Sequence, residues 1–104
     1  MSNELLSEIG RILRNICSVV PGGVVCFLSS YSYEQAVYDH LKNNKVIDAI
    51  TKKKSIFREP KSASDVDQVL QKFASAVKSK DGEKNGALLL SVVGGKLSEG
   101  LNFR

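Results

Sequence analysis

Apolar positions recur along this chain with two different patterns, and the switches between them outline its elements. Leu5, Ile9, Ile12, Leu13, Ile16 and Val20 fall at helical spacings on one stripe, which predicts a helix over about residues 3–18. Pro21-Gly22-Gly23 ends it. Val24-Val25-Cys26-Phe27-Leu28 is a short apolar run rich in β-forming residues, the pattern of a strand covered on both faces in a parallel sheet. This reading makes it the central strand. Ser29 to Ser32 form its exit loop, and Ser32 with Gln35 three residues later has the spacing of a capping box, opening a helix to about Asn43.

Farther along, Val46 to Thr51 reads as a short helix and Ser55 to Arg58 as a short strand before Glu59-Pro60. Ser62 and Asp65 repeat the capping-box spacing, and Val66, Val69, Leu70, Phe73 and Val77 make a second stripe, predicting a helix over about residues 63–78. A polar, glycine-containing loop follows to Gly86. Ala87 to Val92 is then a second buried strand. Alternation of this kind argues for an α/β fold with right-handed crossovers, in which ligand sites gather at the carboxyl ends of the strands.

Composition narrows the class without naming a function. A chain of 104 residues makes one domain or part of one, and 42% hydrophobic with 25% charged residues is ordinary for a globular protein. No apolar run approaches the roughly 20 residues of a membrane helix. Glu4 and Glu8 stand where a secretory signal would carry basic residues, so an intracellular chain is expected. Cys17 and Cys26 lack metal-site spacing and read as inert core thiols. The net charge of +4 is unevenly distributed: Lys42, Lys45, Lys52, Lys53, Lys54, Arg58 and Lys61 face only Asp48 and Glu59 between Leu41 and Lys61. That segment reads either as a solvated face or as a phosphate-attracting one.

Two loops at strand ends hold the candidate chemistry, Ser29 to Ser32 and Val93 to Asn102. In the second, Gly94-Gly95-Lys96 and Ser98-Glu99-Gly100 offer bare backbone N–H groups, an ammonium and a hydroxyl, which suit a polyanion. The stretch is not a P-loop, since Leu90 stands where the first glycine belongs and Leu97 follows the lysine. Taken alone, the glycines are equally explained by a tight turn after a strand. The single histidine, His40, has no catalytic company on its predicted helix.

The wording of the segments goes further. Gly86 to Phe103 closely resembles motif V of the XPD-like helicases, Pro21 to Tyr31 resembles their motif IV strand and loop, and Lys54 to Lys61 resembles the segment linking the two. Glu59-Pro60-Lys61-Ser62 and the Gly94-Gly95 pair look most like the Chl-type branch of these iron–sulfur, DEAH-type DNA helicases. The resemblance covers about the whole chain. It implies a partial RecA-like three-layer sandwich with a mainly parallel sheet, residues 1–104 running from motif IV through motif V of the second motor domain and stopping before motif VI. By position, Ser29, Ser30 and Tyr31 are implied to lie near the DNA backbone, with Ser91, Gly94, Gly95, Lys96 and Ser98 lining the DNA-facing part of motif V. Glu99, Gly100 and Asn102 are implied to approach the nucleotide cleft, although many relatives carry Asp where this chain has Asn102.

The same resemblance implies ATP and Mg²⁺ as cofactors of the parent enzyme and a 4Fe–4S cluster in the family, whose ligands are absent from this sequence. It further implies DNA and the first motor domain as partners, no membrane, a nuclear location, and roles in DNA repair and sister-chromatid cohesion. No Walker A loop or DEAH box occurs here, so the chain by itself is expected not to hydrolyse ATP. The alternative from another class is a nonenzymatic truncated isoform or degenerate paralogue that binds nucleic acid or a partner.

Overall fold

The computed structural model describes residues 2–78 and 86–95. Gly86–Val92, the most uniformly apolar stretch of the chain, forms a strand buried at every position. Leu88, Leu89 and Leu90 are fully enclosed, each stabilising the fold by about 1.5–3 kcal/mol relative to exposure. In chain order the elements are α1 (Asn3–Val19), β1 (Gly22–Leu28), α2 (Tyr31–Asn43), α3 (Val46–Thr51), β2 (Ser55–Arg58), a 3₁₀ turn (Ala63–Asp65), α4 (Val66–Lys78) and β3 (Gly86–Val92). Among the described residues the sheet is all-parallel in the order β1-β3-β2.

The expectation that Val24 to Leu28 is the central strand is therefore corrected. β3 takes the centre, and β1 pairs on one side only among the described residues. β1 opens on two glycines that bury no side chain, and its Phe27 remains 44% exposed. An apolar run was read as central where it is only half covered.

Strand register explains the layers. Val24, Leu88 and Ile56 lie across from one another, and they pack with Leu90, Leu28 and Cys26 against the buried sides of α1, α2 and α3. The alternate positions face α4: Phe57 meets Phe73 edge to face at 6.1 Å between centroids, and Gly23 approaches Phe73 and Val77. The β1-to-β2 connection runs along the sheet in one direction and the β2-to-β3 connection returns in the other. A constant crossover hand puts such connections on opposite faces, which is where α2–α3 and α4 lie. This is the architecture of a partial α/β RecA-like fold.

Helix starts follow side-chain caps, with shifts from the sequence reading. Ser2 caps α1 by accepting from the Leu5 N–H at 3.1 Å. α2 begins at Tyr31 because Ser30, not Ser32, is its cap, accepting from the Tyr33 N–H at 3.1 Å. Ser62 does cap the helical segment that follows it, but toward the Ser64 N–H, and a 3₁₀ turn precedes α4. The stripe on α1 is also rotated: Leu6, Gly10, Leu13 and Cys17 are buried, whereas Leu5, Ile12, Ile16 and Val20 are exposed. Gly10 sets that rotation, since a Cβ there would stand 3.1 Å from Leu41 of α2. Close helix approach outweighed side-chain size. No helix among the described residues is long and apolar enough to cross a membrane.

Candidate nucleic-acid interface

Parallel pairing in register brings the carboxyl ends of β1 and β3 side by side, Leu28 opposite Val92. Beyond that pair the Val93 N–H donates to the Leu28 carbonyl at 2.9 Å, so the two exit loops are tied at their roots. On the β1 side stand Ser29, Ser30 and Tyr31, all exposed, with Ser30 also serving as the α2 cap. The N-terminus of α2 thus opens onto the rim, where its backbone N–H groups and dipole favour an anion.

On the β3 side the chain reverses at once. The Gly95 N–H donates to the Val92 carbonyl at 2.9 Å, and Gly94 occupies the third turn position with φ +75°. A type II turn assigns that conformation to glycine. Gly94 is exposed and Gly95 is buried. Ser91 is fully buried, its hydroxyl donating to Glu59 Oε1 at 2.8 Å, so it sits beneath the rim rather than on it. Lys96, Ser98, Glu99, Gly100 and Asn102 lie outside the described residues, as does the polar loop over residues 79–85.

The basic segment does not form one surface. Lys54 is fully buried, its ammonium donating to the Gly22 carbonyl at 2.8 Å, and burial lowers its pKa from the ordinary lysine value. Arg58 is clamped inside: Nε and Nη2 donate to the two carboxylate oxygens of Glu34 at 2.8 and 2.9 Å, Nη2 also reaches Gln35, and the guanidinium lies 3.8 Å from the centre of the Tyr38 ring. The hydrogen bonds it donates to Glu34 hold it charged. Lys52 and Lys53 precede β2 and so sit at the amino end of the sheet, roughly 20 Å of strand from the rim. Arg58 ends β2 at the carboxyl side but is engaged by Glu34, which leaves Lys61, exposed just beyond β2, as the segment's other cation at that end.

Sequence reasoning missed Glu59, Lys54 and Arg58 as placed groups. The Ser30 cap had no capping-box signal, since Tyr33 stands three residues after it, whereas Ser32 and Gln35 have that spacing. Cys17 and Cys26 are free thiols within or against the core, and burial pushes both up from the ordinary thiol value, as expected of inert cysteines. A groove of about 430 Å³ runs along β1 between Ile12, Leu13, Phe27 and Tyr33, but its lining is apolar apart from Ser29 and the Tyr33 hydroxyl. Among the described residues no cluster of His, Cys, Asp or Glu is arranged to hold a metal ion.

What the rim offers is backbone donors, hydroxyls, a helix N-terminus and a lysine, at the end of a parallel sheet. These are groups for a phosphate chain. Comparison with known proteins identifies the family. Residues 13–104 match the family profile described as the helicase C-terminal domain. The chain is 47% identical over 105 residues to the ATP-dependent DNA helicase DDX11 of Danio rerio, covering 98% of this chain and 12% of that protein. It is 48% identical over 103 residues to the human protein of the same name, covering 96% and 11%. The ATP-dependent DNA helicase CHL1 of Debaryomyces hansenii is 45% identical over 102 residues, covering 98% and 12%. The chain thus spans about an eighth of the length of these relatives. It belongs to the helicase C-terminal domain family, in the Chl-type branch of the XPD-like helicases.

Proposed function

We propose that this chain is the motif IV to motif V portion of the second motor domain of an ATP-dependent DNA helicase that translocates on single-stranded DNA and separates duplex. Its own share is to grip the DNA backbone and to form one wall of the ATP cleft. The observation that carries the reading is the Val93-to-Leu28 hydrogen bond, which joins the Ser29–Tyr31 loop and the Val93–Gly95 turn into one anion-suited rim. Ser29, Ser30, Tyr31 and Gly94 offer the rim's groups, Gly95 closes the turn behind them, Ser91 supports it from below, and the motif V resemblance assigns Lys96 and Ser98 to the same DNA-facing role. Lys61 adds a cation that motif resemblance alone did not point to. Contacts of this kind read phosphates and carry no base information, so binding is sequence-independent.

Glu99, Gly100 and Asn102 belong to the nucleotide side of the same loop in this reading. ATP with Mg²⁺ supplies the cleft chemistry together with the first motor domain, while the family's iron–sulfur cluster is held elsewhere in the parent enzyme. A nuclear site of action in repair and sister-chromatid cohesion fits a DNA helicase of this branch.

The test is photo-crosslinking in the full-length enzyme. A photoreactive amino acid at Ser29 or Val93 is expected to label single-stranded DNA, with labelling that falls as salt rises. The same group at Lys52 is expected to label weakly. Labelling at Lys52 but not at Ser29 or Val93 would place the DNA on the other end of the sheet and end this reading.

A further inference from the structure

Glu59 is 6% exposed, an acid buried where β2 has just ended. β2 pairs with β3 only as far as Arg58 opposite Leu90, so no β2 residue pairs with Val92. The Glu59 side chain meets that position instead. Its Oε1 accepts from the Val92 N–H at 2.8 Å and from the Ser91 hydroxyl at 2.8 Å. Gly95 then folds back so closely that a Cβ there would lie 3.0 Å from Glu59 Cδ and 3.1 Å from Oε1. One carboxylate therefore touches the last residues of β3 and the far end of the turn that follows them.

Burying a carboxylate is costly unless it is well satisfied, and a neutral acceptor would serve a strand end at lower cost. A charged acceptor makes stronger, shorter bonds and fixes their direction. Here those bonds determine where the Val93–Gly95 turn stands relative to Leu28 and to the α2 N-terminus. A side chain at position 95 would press on both the carboxylate and the Val92 carbonyl, each 3.0 Å from a Cβ there, so one of them would have to shift.

We infer that Glu59 is a positioning residue for the DNA-gripping turn: through Ser91, Val92 and Gly95 it sets the height and angle of Val93–Gly95 on the rim, without touching nucleic acid itself. This rests on the reading of that turn as a DNA contact. It links the segment after β2 to the loop after β3, so that the chain leaving one strand governs the exit of its neighbour.

The experiment uses the full-length enzyme and measures DNA-stimulated ATP hydrolysis against single-stranded DNA concentration, with Lys96→Ala as the control for the DNA contact. Glu59→Ala and Glu59→Asp, which remove or shorten the acceptor of two hydrogen bonds, are expected to raise the half-saturating DNA concentration about tenfold, part of their loss being transmitted to the turn. Glu59→Gln keeps an oxygen for both donors but not the charge, and is expected to give a half-saturating concentration between the native and Glu59→Ala values, with the maximal rate retained. A merely structural role would lower the maximal rate in step with the folded fraction and leave half-saturation unchanged, which overturns the inference. Unchanged half-saturation in Glu59→Ala beside a raised value in Lys96→Ala overturns it alone. Unchanged values in both variants remove the DNA-gripping reading and the inference with it. Should Glu59→Ala fail to fold, Ser91→Ala deletes one donor only: a smaller rise in half-saturation supports the inference, and none overturns it.

Discussion

Lys54 shows how far a single residue departs from its sequence context. Three consecutive lysines read as a solvated stretch, yet the third is fully buried with its ammonium on the Gly22 carbonyl. Its stem packs where the turn between α1 and β1 must close. Lys54→Ala is expected to cost about 2–4 kcal/mol, since it leaves a void and removes the ammonium that donates to the Gly22 carbonyl, whereas Lys54→Met fills the void and costs less. Urea unfolding of the three proteins orders them. The pH dependence has a definite sign. Burial lowers the Lys54 pKa, so the folded chain holds this proton less tightly than the unfolded one, and the resulting cost is relieved as pH rises toward the ordinary value of 10.5. The thiols of Cys17 and Cys26 act oppositely, because burial raises them and their contribution is lost as pH climbs above 9.0. Comparing native protein with Lys54→Met cancels Cys26 but not Cys17, whose thiol the Lys54 charge holds down. Losing that charge raises Cys17 further, so both effects have one sign and native stability is expected to gain on the variant as pH approaches 10.5. A flat difference would mean that the ammonium is not paying for burial. Gly86 is a second residue whose requirement no pattern displayed. With φ +134° and a missing Cβ that would collide with the Gly22 carbonyl, Gly86→Ala is expected to destabilise by about 3 kcal/mol or more, measured by the same unfolding.

At the scale of elements, the apolar patterning located the segments, including β3, which is buried at every position. α3 and β2 appear over the residues expected, and α1 and β3 differ at their ends by one residue. It failed where the deciding term is a contact between elements. The buried side of α1 was misjudged because Gly10 and Cys17, small residues, are what let α2 approach, and hydrophobicity gives them little weight. Strand order was misjudged for a related reason: β1 and β3 are both apolar runs, and only pairing decides which of them lies in the middle. The Arg58 clamp belongs to this scale too, because it joins β2 to α2. Its two bonds to a nearly buried Glu34 and its stack on Tyr38 make it stronger than a surface pair, while its own one-third exposure tempers the gain. A double-mutant cycle on Arg58→Ala and Glu34→Ala is expected to show coupling of about 1–2 kcal/mol. Coupling near zero would return Arg58 to the ordinary surface charges.

For the whole molecule, the distribution of charge along the strand axis carries the functional argument. The sequence displayed the loops at both strand exits and their phosphate-suited residues, and motif wording paired them; it could not show that the basic segment is divided among three environments. Lys54 and Arg58 are structural, Lys42 and Lys45 at the far end of α2 and Lys52 and Lys53 before β2 lie away from the rim, and Lys61 lies at the carboxyl end. A polyanion drawn to the rim therefore meets Lys61 but not the paired lysines. Single-stranded DNA binding by the full-length enzyme separates these assignments through its salt dependence, since each phosphate contact contributes about 0.7 to the slope of log affinity against log salt. Lys61→Ala is expected to lower affinity alike for all sequences and to reduce the slope by about that amount. Lys52→Ala with Lys53→Ala is expected to leave the slope within about half of one contact, because long-range attraction from that distance is largely screened at physiological ionic strength. A slope that falls with the lysine pair and ignores Lys61 would put the tracked strand at the amino end of the sheet, where the topology supplies neither exit loops nor the N-terminus of α2.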